Sequence, residues 1–185
     1  MFKKRGHTVV ENMEEADLVQ FTGGHDVTPE FYRAAKQRGT NNHLARDIDE
    51  IAQYFKATGL RLPMAGICRG GQFLNVCNGG TMLQHKDGHC VSHNIKPTIG
   101  LSMSQHPRDV EIDYKETNVT STHHQIMIPS NSGVILFTAD APEDVEIIWY
   151  EDTNCLCFQP HPEYPDHPEC TSLYFNLLDE YIYFS

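Results

Sequence analysis

The chain contains no apolar run long enough to cross a membrane, and its opening residues, Met1-Phe2-Lys3-Lys4-Arg5, lead into polar sequence, not into the apolar core of a secretory signal. It is also short of positive charge: 14 lysines and arginines stand against 25 aspartates and glutamates, for a formal net charge of −11. That balance argues against binding nucleic acid or an anionic membrane through bulk electrostatics and leaves a small molecule or a protein as the expected partner. There is no Cys-x-x-Cys pair to suggest structural zinc. Cys68, Cys77, Cys90, Cys155, Cys157 and Cys170 fall mostly inside strand or helix patterns and lack the spacing of a small disulfide scaffold. Reduced thiols in a soluble, cytoplasmic protein are the expectation. At 185 residues, 39% of them apolar, residues 1–185 form one domain able to bury a core without cross-links.

Histidine, by contrast, is plentiful, with 11 residues. His85, His89 and His93 are evenly spaced, but Gly88 and the alternating Cys90-Val91-Ser92-His93-Asn94-Ile95 break the helix that would align them, so no metal site is expected there.

The most informative stretch is Leu62 to Val76, an apolar run that meets Cys68 and turns at once into a helical pattern. Reversing a strand into a helix within a residue or two strains the residue at the bend, and Gly66 and Gly70 leave room for it, as in the serine form of the nucleophile elbow. Cys68 would then face the first turn of a helix, where free N–H groups and the dipole favour a thiolate. Cys68 could equally be a small buried core residue.

Along the rest of the chain, Met1 to Arg5 reads as the tail of a helix closed by Gly6, with a short strand at His7 to Val10. Asp17 to Thr22 is a second strand, ending in Gly23-Gly24-His25-Asp26-Val27-Thr28-Pro29. Its glycines let the main chain approach a ligand closely, although an ordinary strand-to-helix turn has the same composition. Asn41 or Asn42 caps a helix with Leu44, Ile48, Ile51, Ala52 and Phe55 on one face and Gly59 as its stop. Arg46, Asp47, Asp49 and Glu50 cover the other side, as a solvated face or, for Arg46-Asp47, as a brace for the neighbouring loop.

From Thr81 to Thr122 the pattern changes to short alternating pieces at Cys90 to Ile95, Thr98 to Met103, Val110 to Tyr114 and Val119 to Ser121, a small antiparallel excursion. Strands follow at Val134 to Thr138, Val145 to Tyr150 and Cys155 to Gln159, and a last helix starts at Thr171 or Ser172 with Leu173, Leu177, Leu178 and Tyr181 buried. Strands interleaved with helices predict an α/β three-layer sandwich whose central sheet is largely parallel and flanked by helices.

A cysteine nucleophile needs a base and a group that orients the base. Gln159-Pro160-His161-Pro162-Glu163 offers both. Pro162 holds His161 extended, so Glu163, two residues on, projects to the same side and can reach the far imidazole nitrogen. Alone this segment also reads as a rigid surface turn; together with the Cys68 elbow it reads as a site. Both follow predicted strands, and ligands gather at the carboxyl ends of parallel strands.

Four motifs then carry a family resemblance: Gly23 to Pro29 with Tyr32 and Arg46-Asp47; Gly66-Ile67-Cys68-Arg69-Gly70-Gly71-Gln72 with Gly79-Gly80-Thr81; Ser121-Thr122-His123-His124-Gln125; and Gln159 to Glu163. With these the chain resembles the class I glutamine amidotransferase-like family, of flavodoxin-like fold. Within it, the arginine after the nucleophile, Asp26-Val27-x-Pro29 and His123-His124-Gln125 look like the γ-glutamyl hydrolase branch, which includes γ-glutamyl-γ-aminobutyrate hydrolases.

The resemblance implies a Cys68-His161-Glu163 triad acting on glutamine or a γ-glutamyl amide through a γ-glutamyl thioester, with the backbone N–H groups of Gly24 and Arg69 as the oxyanion hole. By motif position Gln72 and His124 would hold the glutamyl head group. Neither cofactor nor metal is implied. The family opens with an apolar strand and helix, whereas this chain starts within what should be that helix, so residues 1–185 are expected to lack the family's first strand, either because residues precede Met1 or because this member is shortened. Three functions are open: a free-standing γ-glutamyl amide hydrolase, a glutaminase subunit passing ammonia to a separate ATP-dependent amide ligase, and a catalytically idle relative. A broken triad would mark the last, and here all three members are present.

Overall fold

The computed structural model describes residues 1–87, 89–98 and 114–182. A seven-stranded sheet forms the middle layer, from β1 (Val19–Phe21), β2 (Met64–Ile67), β4 (His93–Pro97), β5 (Thr117–Val119), β7 (Val134–Thr138), β8 (Val145–Tyr150) and β9 (Cys155–Phe158), in the order β1-β2-β9-β8-β7-β4-β5. A separate antiparallel pair joins β3 (Thr81–Leu83) to β6 (Ile126–Ile128). Helices α1 (Leu44–Leu60) and α2 (Arg69–Cys77) cover one face of the sheet and α3 (Pro168–Leu177) the other.

Burial explains why the central strands hold this order. Every residue of β2, β8 and β9 is buried, as expected of strands covered on both faces. Alternation splits their side chains between two cores. Met64, Cys155, Cys157, Ile148 and Tyr150 pack with Tyr54 and Ala57 of α1 and Phe73 and Leu74 of α2. Ala65, Ile67, Leu156, Phe158 and Trp149 pack with Leu173, Tyr174 and Leu177 of α3.

The expected α/β three-layer class holds, with the parallel pairings on the side that carries Cys68: β1 with β2, and β2 with β9. The pairings from β9 through β8, β7 and β4 to β5 are antiparallel, so the sheet is more mixed than the strand-helix alternation suggested. The short excursion is present as β4 and β5; the expected strands at Thr98 to Met103 and Val110 to Tyr114 lie, apart from Thr98 and Tyr114, outside the described residues.

Three local readings are corrected. His7 to Val10 is not a strand: it follows the 3-10 turn at Phe2–Arg5 without joining a ladder, and Val9 is 65% exposed. Helix α1 is capped by His43, whose Nδ1 accepts from the Arg46 N–H at 3.1 Å, while Asn42 instead donates its side-chain amide to Thr28 Oγ1 at 2.9 Å. The helix also buries a shifted face: Asp47, Tyr54 and Ala57 point inward and Ile51 packs half-buried beside them, whereas Leu44, Ile48 and Phe55 are 51%, 54% and 66% exposed. The cause is electrostatic. Asp47 pairs with buried Arg69 at the start of α2, which keeps its side of the helix inward.

Gly66 and Gly70 set how closely β1, β2 and α2 approach. A Cβ on Gly66 would lie 2.3 Å from the Gly70 backbone, and one on Gly70 would lie 2.4 Å from the Phe21 carbonyl oxygen. Backbone cannot yield as a side chain can. Gly66→Ala is therefore expected to destabilise by about 3 kcal/mol and to lower the midpoint of thermal unfolding by about 6–12 °C, which calorimetry would read.

Candidate active site

The bend between β2 and α2 carries the geometry its glycine spacing implied. Cys68 has φ 51° and ψ −115°, a left-handed conformation rare for a side chain other than glycine and the kind of local strain that gathers at functional sites. Its N–H is held by the Phe158 carbonyl at 2.8 Å, which ties the bend to the end of β9. From that strand the chain runs directly into Gln159-Pro160-His161-Pro162-Glu163. The His161 N–H donates to the Thr120 carbonyl at 3.2 Å, Thr171 Oγ1 donates to the Pro162 carbonyl at 2.6 Å, and the imidazole stacks on Tyr164 with the rings 4.9 Å apart.

His161 Nδ1 lies 2.7 Å from Glu163 Oε1. The imidazole and the Cys68 side chain meet beside Gly23: a side chain there would touch His161 Cε1 at 3.4 Å and Cys68 Cβ at 3.8 Å. Burial disfavours the imidazolium, but hydrogen bonding to Cys68 and to Glu163 outweighs it and pushes the His161 pKa from 6.5 up to about 10. Burial likewise opposes the Glu163 carboxylate, yet the bond to His161 holds its pKa below the usual 4.5.

The structure thus brings Cys68, His161 and Glu163 together. It adds a partner the sequence reading missed, Thr122, whose hydroxyl lies 2.8 Å from His161 Nε2. Thr122 lies in Ser121-Thr122-His123-His124-Gln125, directly before the paired histidines that dominate the motif.

The other thiols differ in kind. Burial raises Cys77 to about 12, Cys155 to about 11, Cys170 to about 12 and Cys157 well above its ordinary value, so these four are poor nucleophiles at neutral pH.

Gly24, Arg69, Gln72 and His124 all border the same cavity as Cys68 and His161, with a volume of about 440 Å³, in the range of small-molecule sites. Gln72 is fixed by the hydrogen bond its Nε2 donates to Gln159 Oε1 at 3.2 Å, and His124 Nε2 lies 3.4 Å from Asp26 Oδ2. A larger groove, about 570 Å³, runs along residues 2–20 away from Cys68 and contains no cysteine.

A charge chain shapes the cavity wall. Arg69 is buried between Asp47 and Glu50, and Glu50 also pairs with Arg46 at 2.9 Å. Arg46 donates to the carbonyls of Thr22 at 2.9 Å and Gly23 at 3.1 Å, while Asp47 accepts the Thr28 N–H at 2.9 Å. Arg46-Asp47 therefore braces the Gly23–Pro29 loop from both ends, the second of the two roles its sequence allowed.

A mixed α/β sheet with a strained cysteine at a strand-to-helix bend and a histidine-carboxylate pair after the neighbouring strand defines a class of cysteine-dependent hydrolases and amidotransferases. Comparison with known proteins narrows it: residues 2–163 match the Peptidase C26 family, and the chain belongs to that family. A candidate glutamine amidotransferase of Mycobacterium tuberculosis is 30% identical over 82% of this chain, which spans 52% of that relative. A candidate glutamine amidotransferase-like protein of Lactococcus lactis is 30% identical over 88% of this chain and 77% of its own. Among solved structures, a glutamine amidotransferase from Thermotoga maritima superposes with a TM-score of 0.62 at 17% identity, covering 96% of this chain and 68% of its own. PurLQS from the same organism gives a TM-score of 0.59 at 16% identity, covering 91% of this chain and 82% of that one. These structures share the class I glutamine amidotransferase fold. Among the described residues no helix is long and apolar enough to cross a membrane.

Proposed function

We propose that the chain is a cysteine-nucleophile hydrolase of glutamine or γ-glutamyl amides. The observation that carries this reading is the meeting of Cys68, on its strained bend, with the His161–Glu163 pair at one small-molecule cavity. In the proposed reaction the Cys68 thiolate adds to the γ-carbonyl carbon. The carbonyl electron pair moves onto oxygen, where the N–H groups of Gly24 and Arg69 would receive it; loss of one such donor typically costs on the order of a hundredfold in rate.

Collapse of this intermediate breaks the C–N bond as the His161 imidazolium gives its proton to the departing nitrogen, leaving a γ-glutamyl thioester. His161 then takes a proton from water as the oxygen attacks the thioester; the C–S bond breaks, glutamate leaves, and the Cys68 thiolate and His161 imidazolium are restored. Glu163 holds the imidazole by Nδ1 and steadies its charge. Gln72 and His124 hold the glutamyl head group. Arg69, Asp26-Val27-x-Pro29 and His123-His124-Gln125 support the γ-glutamyl hydrolase branch of the family.

A second reading, an amidotransferase subunit that supplies ammonia to a separate ATP-dependent ligase, is supported by the glutamine amidotransferase names of the relatives. The two separate in one experiment. The protein is incubated with a glutamine-like chloroketone, the adduct is mapped by mass spectrometry, and ammonia or amine release is measured from glutamine and γ-glutamyl amides. A Cys68 adduct with release by the protein alone is expected. An adduct with negligible release favours the subunit reading, and labelling at exposed Cys90 or at Cys77 in place of Cys68 overturns both.

A further inference from the structure

Away from Cys68, three histidines and one carboxylate converge on a single point. Glu146 is fully buried within β8, where pairing with β7 slips: Val145 lies opposite Thr138 but Ile147 lies opposite Phe137, so Glu146 is the extra residue of a bulge. Its Oε1 lies 3.3 Å from His93 Nε2 at the start of β4. It lies 3.5 Å from His123 Nε2 in the loop after β5, and 3.6 Å from His89 Nδ1 in the loop before β4. The four ligand atoms all lie within 4.8 Å of one another.

These contacts are not hydrogen bonds. His89 Nδ1, His93 Nε2, His123 Nε2 and both Glu146 oxygens are buried and have no hydrogen-bond partner. A carboxylate buried in that condition is very costly unless a cation meets it. The tautomers sharpen the point. His93 Nδ1 lies 3.1 Å from the Val91 carbonyl and His123 Nδ1 lies 2.8 Å from the Gln125 carbonyl. A carbonyl only accepts, so each Nδ1 carries a hydrogen and Nε2 is the nitrogen each ring turns toward the carboxylate.

Three imidazole nitrogens and a carboxylate oxygen at this spacing suit a metal ion. Zinc bonds of about 2.0–2.1 Å in tetrahedral geometry put neighbouring ligand atoms roughly 3.3 Å apart. The outer contacts fit as well: the two carbonyls orient His93 and His123, while His89 Nε2 lies 3.5 Å from Asp144 Oδ2 and Lys86 pairs with Asp144 at 2.9 Å.

We propose that His89, His93, His123 and Glu146 form a closed four-ligand site for a divalent transition ion of the zinc type. Three imidazoles and a carboxylate suit that class, and four protein ligands make the role structural. The ion fastens the loop before β4, β4 itself and the Ser121–Gln125 segment to β8. Through His123 it fixes the backbone between Thr122, which touches His161, and His124, which borders the cavity.

The test uses the full chain carrying Cys68→Ala, so that the reactive thiol cannot hold the ion. The protein is exposed to zinc(II), dialysed, and its metal measured by plasma mass spectrometry; cobalt(II) is titrated in parallel. The expected results are about one zinc per chain, the intense visible bands of tetrahedral cobalt, and, with free zinc on the order of a thousandfold above Kd, a thermal midpoint raised by about 10 °C. Glu146→Gln and His93→Ala are expected to lose the ion. Retention of under a tenth of an equivalent with no shift in the midpoint overturns the proposal, and so does zinc content unchanged by Glu146→Gln. Should both variants fail to fold, the cobalt spectrum of the Cys68→Ala protein decides the matter: octahedral bands, or none, overturn it.

Discussion

Cys68→Ala is expected, under the proposed function, to reduce turnover of glutamine or γ-glutamyl amides by at least about a thousandfold, because the other groups at the cavity would position and polarise the amide but supply no nucleophile. The same variant tests whether sulfur and imidazole act as a pair. The His161 pKa of about 10 is the outcome of burial, which lowers it, against bonds to Cys68 and Glu163, which raise it. Removing the thiol leaves burial opposed by Glu163 alone, so the ring should titrate lower, as histidine-ring NMR would show.

The stability consequence has a definite sign. A folded-state pKa raised from 6.5 to about 10 means that the His161 contribution is full below about pH 6.5 and is lost as pH rises through about 10. Glu163, held below 4.5, contributes above that value and loses its contribution as pH falls further. The stability gap between wild type and Cys68→Ala should be widest between about pH 4.5 and 6.5 and fade toward pH 10. An imidazole that titrates identically in both proteins would mean that Cys68 and His161 do not communicate.

What could be read from sequence was whatever short-range geometry dictates. The Cys68 bend is announced by glycines two residues to either side, and His161 reaches Glu163 because a proline holds the three-residue segment extended. Long-range contacts defeated the same reading. Hydrophobic periodicity put Leu44, Ile48 and Phe55 inside, but Asp47 is buried instead, because its partner Arg69 is 22 residues away in sequence and invisible to any local pattern. The β3–β6 pair escaped notice because strands of three residues carry almost no alternation.

The histidine cluster was missed for a related reason. His89 and His93 were weighed as one face of a helix, whereas a loop and a strand deliver them, and the clearest signal was a lone glutamate in the otherwise apolar Val145-Glu146-Ile147-Ile148-Trp149-Tyr150. The absence of metal expected from sequence rested on helix geometry, and the bulge at Glu146 makes that criterion irrelevant. His85, the third member of the evenly spaced set, instead lies 3.2 Å from Asp87 on the surface.

The second large effect is expected at Asp47. Its carboxylate is 1% exposed, pairs with Arg69 and accepts the Thr28 N–H, so Asp47→Ala leaves the buried guanidinium with Glu50 as its one remaining carboxylate and strands a loop N–H. Removing one partner of a buried pair costs about 3–5 kcal/mol, or about 6–20 °C in the unfolding midpoint for a domain of this size. Burial already depresses the Arg69 pKa to about 10 even with Asp47 raising it, so loss of Asp47 moves it lower still.

The double variant Asp47→Leu with Arg69→Met separates fold from function. Replacing both charges with apolar groups should recover much of the midpoint, since no unpaired charge is left behind. Activity should stay low, because the Thr28 N–H still lacks its acceptor, Glu50 has lost a partner, and the Gly23–Pro29 loop that borders the cavity keeps its Arg46 brace but has lost that of Asp47. The decisive comparison is kcat/KM against midpoint across wild type, single and double variants. Recovery of both would reduce the Asp47–Arg69 pair to a packing element, and an Asp47→Ala midpoint within about 1 °C of wild type would remove the charge chain from the account of how this loop is held.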